Sequence, residues 1–299
     1  GDVTNESPQN ILVHTVPDEA TVPDALAGES SDRVTGKGGN DVSISDESRE
    51  GMFSDIQKAL LAMKYDVLEA AALSIIKELQ RLPLPEMLPL YSLVDHRKDD
   101  TAKTFLENDT TLPLDKVPLY VYGDGNCLFR CASMFVFGTD KFHTEMRIRT
   151  VLELIKNKRT YLSDSYLKSG WGEEPHNASL KEKLVTFLDG YDPSNVLTDY
   201  CIEKLYESNI LKSLKPNASV DMWNVYALST VLRCRIRIIY PQYGNAENRK
   251  FFNRTALPVT TDMTQNHERT ILWSHTQGKQ SAETEYWLPN HFAPCVPNK

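Results

Sequence analysis

The stretch that most constrains this chain is YGDGNCLFRC at residues 122–131, where a tight turn runs directly into a helical pattern. Gly123 and Gly125 tolerate positive φ, and the Asp and Asn that follow them favour a turn. The residues that follow, through Phe135, have one apolar face at helical spacing. The sequence therefore predicts that Cys127 lies at the N-terminus of a helix, immediately after a glycine loop.

This placement favours chemistry by the Cys127 thiol. The helix dipole and the free backbone N–H groups of a first turn stabilise a thiolate. Backbone N–H groups of Asp124, Gly125, Asn126 and Cys127 are candidates to receive the oxyanion of an acyl-transfer intermediate, and Gly125 allows close backbone approach. A glycine turn before a helix also binds phosphate, but no Walker lysine follows here. An ordinary buried thiol is the alternative.

The loop resembles a known family. Residues 123–130 look like the nucleophile loop of the ovarian tumour (OTU) cysteine proteases, which are deubiquitinases. A second resemblance, to vertnin-like proteins, covers most of residues 117–297 and includes residues 147–151 and 223–240. The resemblance implies a vertnin-like member of the OTU group with an intact cysteine and histidine pair, which vertnin itself lacks. It also implies a papain-type fold with a small mixed sheet surrounded by helices.

Acyl transfer by a thiol needs a base, and the pKa of histidine suits that role. Seven histidines are available. His291 alone lies in a predicted strand beside aromatic residues, Trp287 and Phe292. His275, at the end of another predicted strand, is the runner-up. The OTU resemblance also implies His291, because the family ends with a histidine in an aromatic-rich strand.

The third member of the site stays open. OTU proteases often carry Asp or Asn two residues after the histidine, on the same strand face, but Ala293 stands there. Asn290 is adjacent, although alternation points its side chain to the opposite face. Asp124 matches an acidic position of the family's loop, where it could order the loop instead of orienting the imidazole, and an upstream residue such as Asp115 is a further candidate. The candidate catalytic residues are Cys127, His291, Asp124 and Asn290, with Gly125 and Asn126 as oxyanion-loop residues.

The five cysteines are odd in number and unclustered, which favours a reducing compartment over a disulfide framework. Because no CxxC pair is present, we expect no metal site, and nothing in the sequence implies a cofactor. Cys131 is either a resolving thiol for redox control or, as the favoured interpretation, a small core residue. With no membrane-length apolar run and no signal pattern, we expect an intracellular protein of the cytoplasm or nucleus.

The net charge of −8 belongs to one segment. Residues 1–50 contain 11 acidic and 3 basic residues, so the remainder of the chain is balanced. This acidic tail has no Phe, Tyr or Trp, and we predict it to be disordered because it cannot bury enough apolar surface. The balanced body gives nucleic-acid binding little support. We expect a monomer.

Beyond the tail, capping and periodicity signals divide the chain. Residues 51–91 predict a helical extension, opened by a capping box at residues 54–57. Its two helices, within residues 52–82, are either ordinary packing surface or an accessory ubiquitin-binding element. Residues 92–116 predict a polar loop or linker, and residues 117–299 predict the OTU-like catalytic domain.

The catalytic domain predicts an α/β (α+β) layout. Helical patterns cover residues 144–156, 179–188 and 219–232. Strands are predicted at 235–240 and 270–273, and a last strand within 285–296. Helices between the cysteine segment and a C-terminal set of strands match the fold that the resemblance implies.

The resemblance implies a deubiquitinase. The expected reaction is hydrolysis of the isopeptide bond after the C-terminal Gly-Gly of ubiquitin, through a Cys127 thioester with His291 as general base and acid. Ubiquitin or polyubiquitin is then the partner. Two alternatives stay open: a protease for another ubiquitin-like modifier, and a catalytically idle vertnin-like regulatory protein, which the alanine at position 293 permits.

Overall fold

A mixed β-sheet, with four of its five described strands in the C-terminal half of the chain, organises the fold. The computed structural model describes residues 44–107, 115–170, 179–259, 267–278 and 287–298. Within this part, the strands are β1 (Lys116–Pro118), β2 (Arg235–Ile239), β3 (Thr255–Ala256), β4 (Glu268–Ser274) and β5 (His291–Pro297). Their order across the sheet is β1-β5-β4-β2-β3. β2 and β4 run parallel, and the other neighbours are antiparallel.

Helices surround this sheet. They are α1 (Asp46–Leu61), α2 (Tyr65–Leu79), α3 (Asp100–Lys103), α4 (Cys127–Phe137), α5 (His143–Lys156), α6 (Lys158–Tyr161), α7 (Asp164–Leu167), α8 (Leu180–Val185), α9 (Asp199–Ser213), α10 (Met222–Leu232) and α11 (Ala246–Phe252). The layout is a small mixed sheet among helices, which confirms the predicted α/β (α+β) fold class.

The pairing of α4 with β5 places the two predicted catalytic residues. α4 packs directly on β5. Cys127 is the first residue of α4, and His291 is the first residue of β5. The helix is apolar over most of its surface and ends at Gly138, whose φ of 69° is the left-handed conformation of a helix C-cap. β5 lies between β1, which pairs with residues 295–297, and β4, which pairs with residues 291–295.

Most predicted elements of the catalytic domain occur near their predicted positions. α5 and α10 follow their apolar periodicity, and Ser179 caps α8 through its side chain as its capping box predicts. The last strand is shorter than predicted. β5 begins only at His291, residues 287–290 form the connection before it, and residues 285–286 lie outside the described part of the chain.

The N-terminal boundary was predicted wrongly. α1 begins at Asp46, within the segment predicted as a disordered tail, and residues 1–43 of that tail lie outside the described residues. The cap is Ser45, whose side chain accepts a hydrogen bond from the Ser48 N–H. The capping box at residues 54–57 therefore lies inside the helix. Acidic residues in the first turn mark the true start, because they complement the helix dipole.

The two N-terminal helices belong to the main core. Phe53, Ile56, Leu60 and Leu68 are fully buried in the same cluster as the residues of α4 and α5. α1 and α2 both pack on α5. The apolar stripe of this extension is thus used for packing within the domain, the first of the two interpretations above.

Residues 92–116, predicted as a linker, carry structure that the site depends on. A 3₁₀ turn covers Leu90–Leu93, α3 follows at Asp100–Lys103, and residues 108–114 lie outside the described part. Lys98 forms a β-bridge with Leu119, and the Asp99 N–H donates to the Pro118 carbonyl. The polar composition of this segment predicted a loop, because nothing in the local sequence shows that its backbone hydrogen bonds go to a distant strand.

α9 was not predicted. Its moderate apolar content gives only a weak helical pattern. Its buried apolar side chains, Ile202, Tyr206 and Ile210, form one row at four-residue spacing. Tyr206 also donates its hydroxyl to the Leu154 carbonyl of α5. The helix is therefore stabilised by its tertiary contacts rather than by a broad apolar face.

Candidate active site

Cys127 is the first residue of α4 and is nearly buried, with 6% of its surface exposed. Asn126 precedes the helix without a side-chain cap, so its side chain does not take up the backbone N–H groups of the first turn. The aligned peptide dipoles of α4 favour negative charge at this end. The position of Cys127 is therefore suited to a thiolate.

The turn before Cys127 requires glycine at position 125. Gly125 has a φ of 80°, in the left-handed region. A Cβ at this position would lie 2.0 Å from the backbone oxygen of Asn217, itself in a left-handed conformation. The Asn126 side chain donates to the Asn217 side chain across the same contact, at 2.6 Å. The nucleophile loop is thus seated directly on the turn at Asn217.

Asp124 braces this loop. Its carboxylate accepts hydrogen bonds from Arg130, at 2.6 and 3.2 Å, and from the Asn126 N–H, at 3.0 Å. Burial would raise the pKa of Asp124, but the hydrogen bonds from Arg130 and Asn126 outweigh burial and hold it well below its usual value. The Asp124 side chain is therefore engaged within the loop and its helix.

The hydrogen bond from the Asn126 N–H to Asp124 removes one of the candidate oxyanion donors. The Asn126 N–H is taken by Asp124, whereas the N–H groups of Gly125 and Cys127 make no hydrogen bond to another described residue. Free N–H groups beside a nucleophile are the donors that an oxyanion needs. Of the four predicted donors, Asn126 is therefore the one whose N–H is already engaged, and the N–H groups of Gly125 and Cys127 lie on either side of it.

His291 is the first residue of β5 and pairs in register with Ser274 of β4. Its imidazole is buried, and its Nδ1 faces the nucleophile loop: a Cβ on Gly123 would lie 3.5 Å from it. Burial would lower the pKa of His291, but contact with the Asp99 carboxylate and then with the Cys127 thiol outweighs burial and raises the pKa to about 9. The structure thus brings His291 and Cys127 together in one buried cluster.

Asp99 is the carboxylate that faces this imidazole. Its Oδ2 lies 3.7 Å from Nε2 of His291, at ion-pair rather than hydrogen-bond distance, and both side chains are buried. Its Oδ1 accepts from the Ala102 N–H and caps α3. One carboxylate oxygen therefore anchors the residue, and the other is presented to His291.

The other residues considered for the third position or for the base either bond elsewhere or lie away from the imidazole. Asn290 accepts a hydrogen bond from the Thr276 N–H at 3.0 Å and closes the turn after β4. The backbone carbonyl of Asp115 accepts from Asn298, at the far end of β5. His275, the runner-up base, accepts from the Gln277 N–H through its Nδ1.

Sequence reasoning missed Asp99 because the residue sits in a charged, polar stretch. Its spacing held one signal: an Asp three residues before Ala102 is the pattern of a helix N-cap. That signal predicts a short helix but not the long-range contact. Only the pairing of Lys98 with Leu119 beside β1 places Asp99 next to β5.

Cys131 is fully buried one helical turn after Cys127. Burial raises the pKa of its thiol well above the usual value, and the neighbouring Cys127 and Cys295 act in the same direction. A thiol held protonated in this way is a poor resolving nucleophile. Its packing therefore favours the interpretation of a core residue.

The described residues contain no group of three or more His, Cys, Asp or Glu side chains arranged to hold a metal ion. They also contain no helix long and apolar enough to span a bilayer.

Comparison with known proteins gives consistent relatives. Residues 118–274, over half of the chain, match the family described as "Vertnin, OTU domain". Vertnin of Danio rerio is 27% identical over 225 residues, which cover 75% of this chain and 32% of the relative. Human vertnin is 27% identical over 199 residues, covering 66% of this chain and 26% of the relative. The chain thus spans a third or less of the length of these relatives.

Two solved structures also resemble the chain. "Structure of OTUD1 OTU domain" has a TM-score of 0.35 at 14% identity, covering 70% of this chain and 99% of that one. The viral OTU domain protease from Farallon virus has a TM-score of 0.35 at 11% identity, covering 61% and 84%. With the family match over residues 118–274, the chain belongs to the vertnin OTU-domain family.

Proposed function

We propose that this domain is a thiol isopeptidase that hydrolyses the bond after the C-terminal Gly-Gly of ubiquitin. The observation that carries the proposal is the buried cluster of Cys127, His291 and Asp99. A cysteine at a helix N-terminus, a histidine beside it and a carboxylate behind the histidine have the roles of nucleophile, base and orienting group.

In the proposed reaction, the Cys127 thiolate attacks the carbonyl carbon of the last glycine of ubiquitin. The N–H groups of Gly125 and Cys127 receive the negative charge that develops on the carbonyl oxygen. The His291 imidazolium gives its proton to the departing lysine amine, leaving a thioester on Cys127. A water molecule, deprotonated by His291, then attacks the thioester carbonyl and expels the Cys127 thiolate, which restores the thiolate and imidazolium pair. Ubiquitin leaves with a free C-terminal carboxyl group, whose proton passes to solvent.

The narrow surroundings of the nucleophile support a substrate without side chains. Cys127 and His291 each expose less than a tenth of their surface. A Cβ on Gly123 would lie 2.8 Å from Cγ2 of Thr276 and 3.5 Å from Nδ1 of His291. A pair of glycines passes such a constriction more readily than residues with side chains, which favours a modifier that ends in Gly-Gly.

The test is hydrolysis of a fluorogenic C-terminal amide of ubiquitin, compared with the same amide of other ubiquitin-like modifiers. We expect turnover of the ubiquitin substrate that is abolished in Cys127→Ala and in His291→Ala. Asn290→Ala is the matched control, because Asn290 adjoins His291 but bonds Thr276. Turnover of another modifier alone would reassign the substrate, and no turnover by folded wild type on any of them would overturn the proposal.

A further inference from the structure

Arg147 of α5 lies fully buried beneath the nucleophile loop. Its Nη2 donates to the Gly125 carbonyl at 3.0 Å, to Oδ1 of Asn126 at 2.7 Å and to the Ala218 carbonyl at 3.0 Å. Its Nη1 donates to the Ser213 carbonyl at 2.7 Å. One guanidinium therefore joins the loop before Cys127 to the end of α9 and to the turn that supports Gly125.

This buried charge lacks the partner that such groups usually have. Among the described residues, no carboxylate lies within ion-pair distance of Arg147, and its Nε makes no hydrogen bond. Elsewhere in α5, the buried carboxylate of Glu145 pairs with Arg49 and Arg149. Burying an unpaired charge is costly, so an unpaired guanidinium under a reactive loop calls for a function.

The negative groups that act on Arg147 belong to the loop. Burial lowers the pKa of Arg147 to about 10, and the negative charges of Cys127 and Asp124 act in the opposite direction. Asp124 is already paired with Arg130. The Cys127 side chain, on the residue that follows the peptide held by Arg147, is therefore the remaining group of the loop on which the positive charge of Arg147 can act.

The contacts of Arg147 also orient the loop. With the Gly125 carbonyl held by Arg147 and the Asn126 N–H held by Asp124, the peptide that joins Gly125 to Asn126 is fixed at both of its polar atoms. Cys127 is the next residue. A shift of this peptide would move the N–H groups that we assign to the oxyanion, and such groups act only when they are held in place.

We infer that Arg147 is a positioning residue of this site, which holds the peptide before Cys127 and supplies the buried positive charge that favours the Cys127 thiolate. The inference rests on the proposed thiol reaction. The part of the inference that concerns the positive charge of Arg147, which we call the charge component, is measurable on the thiol itself without any ubiquitin substrate. The part that concerns the held peptide is the positioning component.

The experiment is the pH dependence of alkylation of Cys127 by iodoacetamide in the full chain. All variants carry Cys201→Ser, because Cys201 is the cysteine that is not buried. We expect Arg147→Met to move the half-maximal pH of alkylation upward by about one unit, the size expected for loss of a nearby opposite charge. Circular dichroism shows whether each variant is folded.

Arg254 gives a matched control. It is also buried, stacks on a phenylalanine ring at 4.4 Å as Arg147 does at 4.5 Å, and donates to the Tyr226 hydroxyl. It lies next to β3, at the sheet edge opposite β1. Arg254→Met should therefore cost stability without moving the alkylation midpoint of Cys127. An unchanged midpoint in folded Arg147→Met would overturn the charge component.

Two further variants keep the inference testable. Should Arg147→Met not fold, Arg147→Gln removes the charge but keeps an N–H donor, and the same upward shift is expected. Arg147→Lys keeps the charge but loses the planar fork. It should retain the alkylation midpoint and reduce kcat/KM on the ubiquitin substrate about tenfold, and an unchanged kcat/KM would overturn the positioning component. If wild type alkylates normally but does not turn over ubiquitin, the proposed function fails while the charge component still stands.

Discussion

Oδ2 of Asp99 lies 3.7 Å from Nε2 of His291. Asp99 belongs to a segment outside β5, the strand that carries the histidine. The strand itself provides Ala293 where an orienting side chain was sought, and Ala293 is packed into a small apolar cluster with Ala102. The orienting carboxylate thus reaches the imidazole from the cap of α3, next to β1. In the proposed site, Asp99 takes the place of a polar side chain at position 293.

The first prediction concerns pH. Because Asp99 and Cys127 raise the pKa of His291 to about 9, the imidazolium persists until the pH rises through that value. We expect kcat/KM to fall on the alkaline side with a midpoint near pH 9. Asp99→Asn should move this limb to lower pH and reduce kcat/KM roughly 10- to 100-fold. Asn290→Ala should leave it in place, and an unmoved limb in Asp99→Asn would argue against the contact.

The same contact has a signature in stability. A histidine whose pKa is raised on folding stabilises the fold fully below its ordinary value of 6.5, and that contribution is lost as the pH rises through about 9. Urea unfolding of wild type and Asp99→Asn should therefore differ more at pH 6 than at pH 10. An equal difference at both pH values would show that the Asp99 contact to Ala102, and not the ion pair, is responsible.

A third prediction tests whether Asp124 holds the nucleophile loop in place or orients the His291 imidazole. Asp124→Ala should lower the free energy of unfolding by about 1–3 kcal/mol, because it removes the two charged hydrogen bonds from Arg130 to Asp124 and leaves Arg130 paired with Asp140 alone. Activity should fall with the loop, but the alkaline limb should stay near pH 9, since Asp124 bonds Arg130 and Asn126 rather than the imidazole. A limb displaced as far as in Asp99→Asn would assign Asp124 to the imidazole instead.

A fourth prediction tests the seat of the loop. Gly125→Ala should lower stability by at least about 1–3 kcal/mol, because alanine is strained at a φ of 80° and its Cβ would collide with the Asn217 backbone. Gly123→Ala is the comparison. Its Cβ meets mainly the Thr276 methyl, a side chain that can move, so stability should change less while KM rises. Thermal unfolding and steady-state kinetics measure both effects.

The N-terminal boundary gives a fifth prediction. A chain that starts at residue 44 retains Arg49, which bonds Glu145 at 2.6 and 2.7 Å. A chain that starts at residue 51 loses this ion pair and the first turn of α1, although composition predicted residues 1–50 to be a disordered tail. We expect the shorter chain to be less stable by about 1–3 kcal/mol, measured by urea unfolding. Equal stability of the two chains would contradict the role of Arg49.

Local patterns predicted the glycine turn and the helix that begins at Cys127, because both depend on neighbouring residues. The turn at Gly125, the helix that begins at Cys127 and the strand that carries His291 each have a signal within about ten residues. The pairing of Cys127 with His291 across the fold came from chemistry and from the family resemblance.

Asp99 and Arg147 were beyond the reach of such patterns. Each is placed by contacts with distant parts of the chain: Asp99 through its N–H to the Pro118 carbonyl, and Arg147 through the Gly125 and Ser213 carbonyls. In the sequence, one is a charge in a polar stretch and the other a charge in an amphipathic helix. No periodicity or capping rule distinguishes them from solvent-exposed charges, because the partners are fixed only by the tertiary fold.

The central claim, that Cys127 is a nucleophile directed at the C-terminus of ubiquitin, is tested most directly by intact mass spectrometry. Wild type and Cys127→Ala are incubated with ubiquitin bearing a C-terminal propargyl or vinyl electrophile. The account predicts one covalent ubiquitin adduct on wild type, lost in Cys127→Ala and when wild type is denatured beforehand. A folded wild type that stays unmodified, or an adduct that survives in Cys127→Ala, would contradict it.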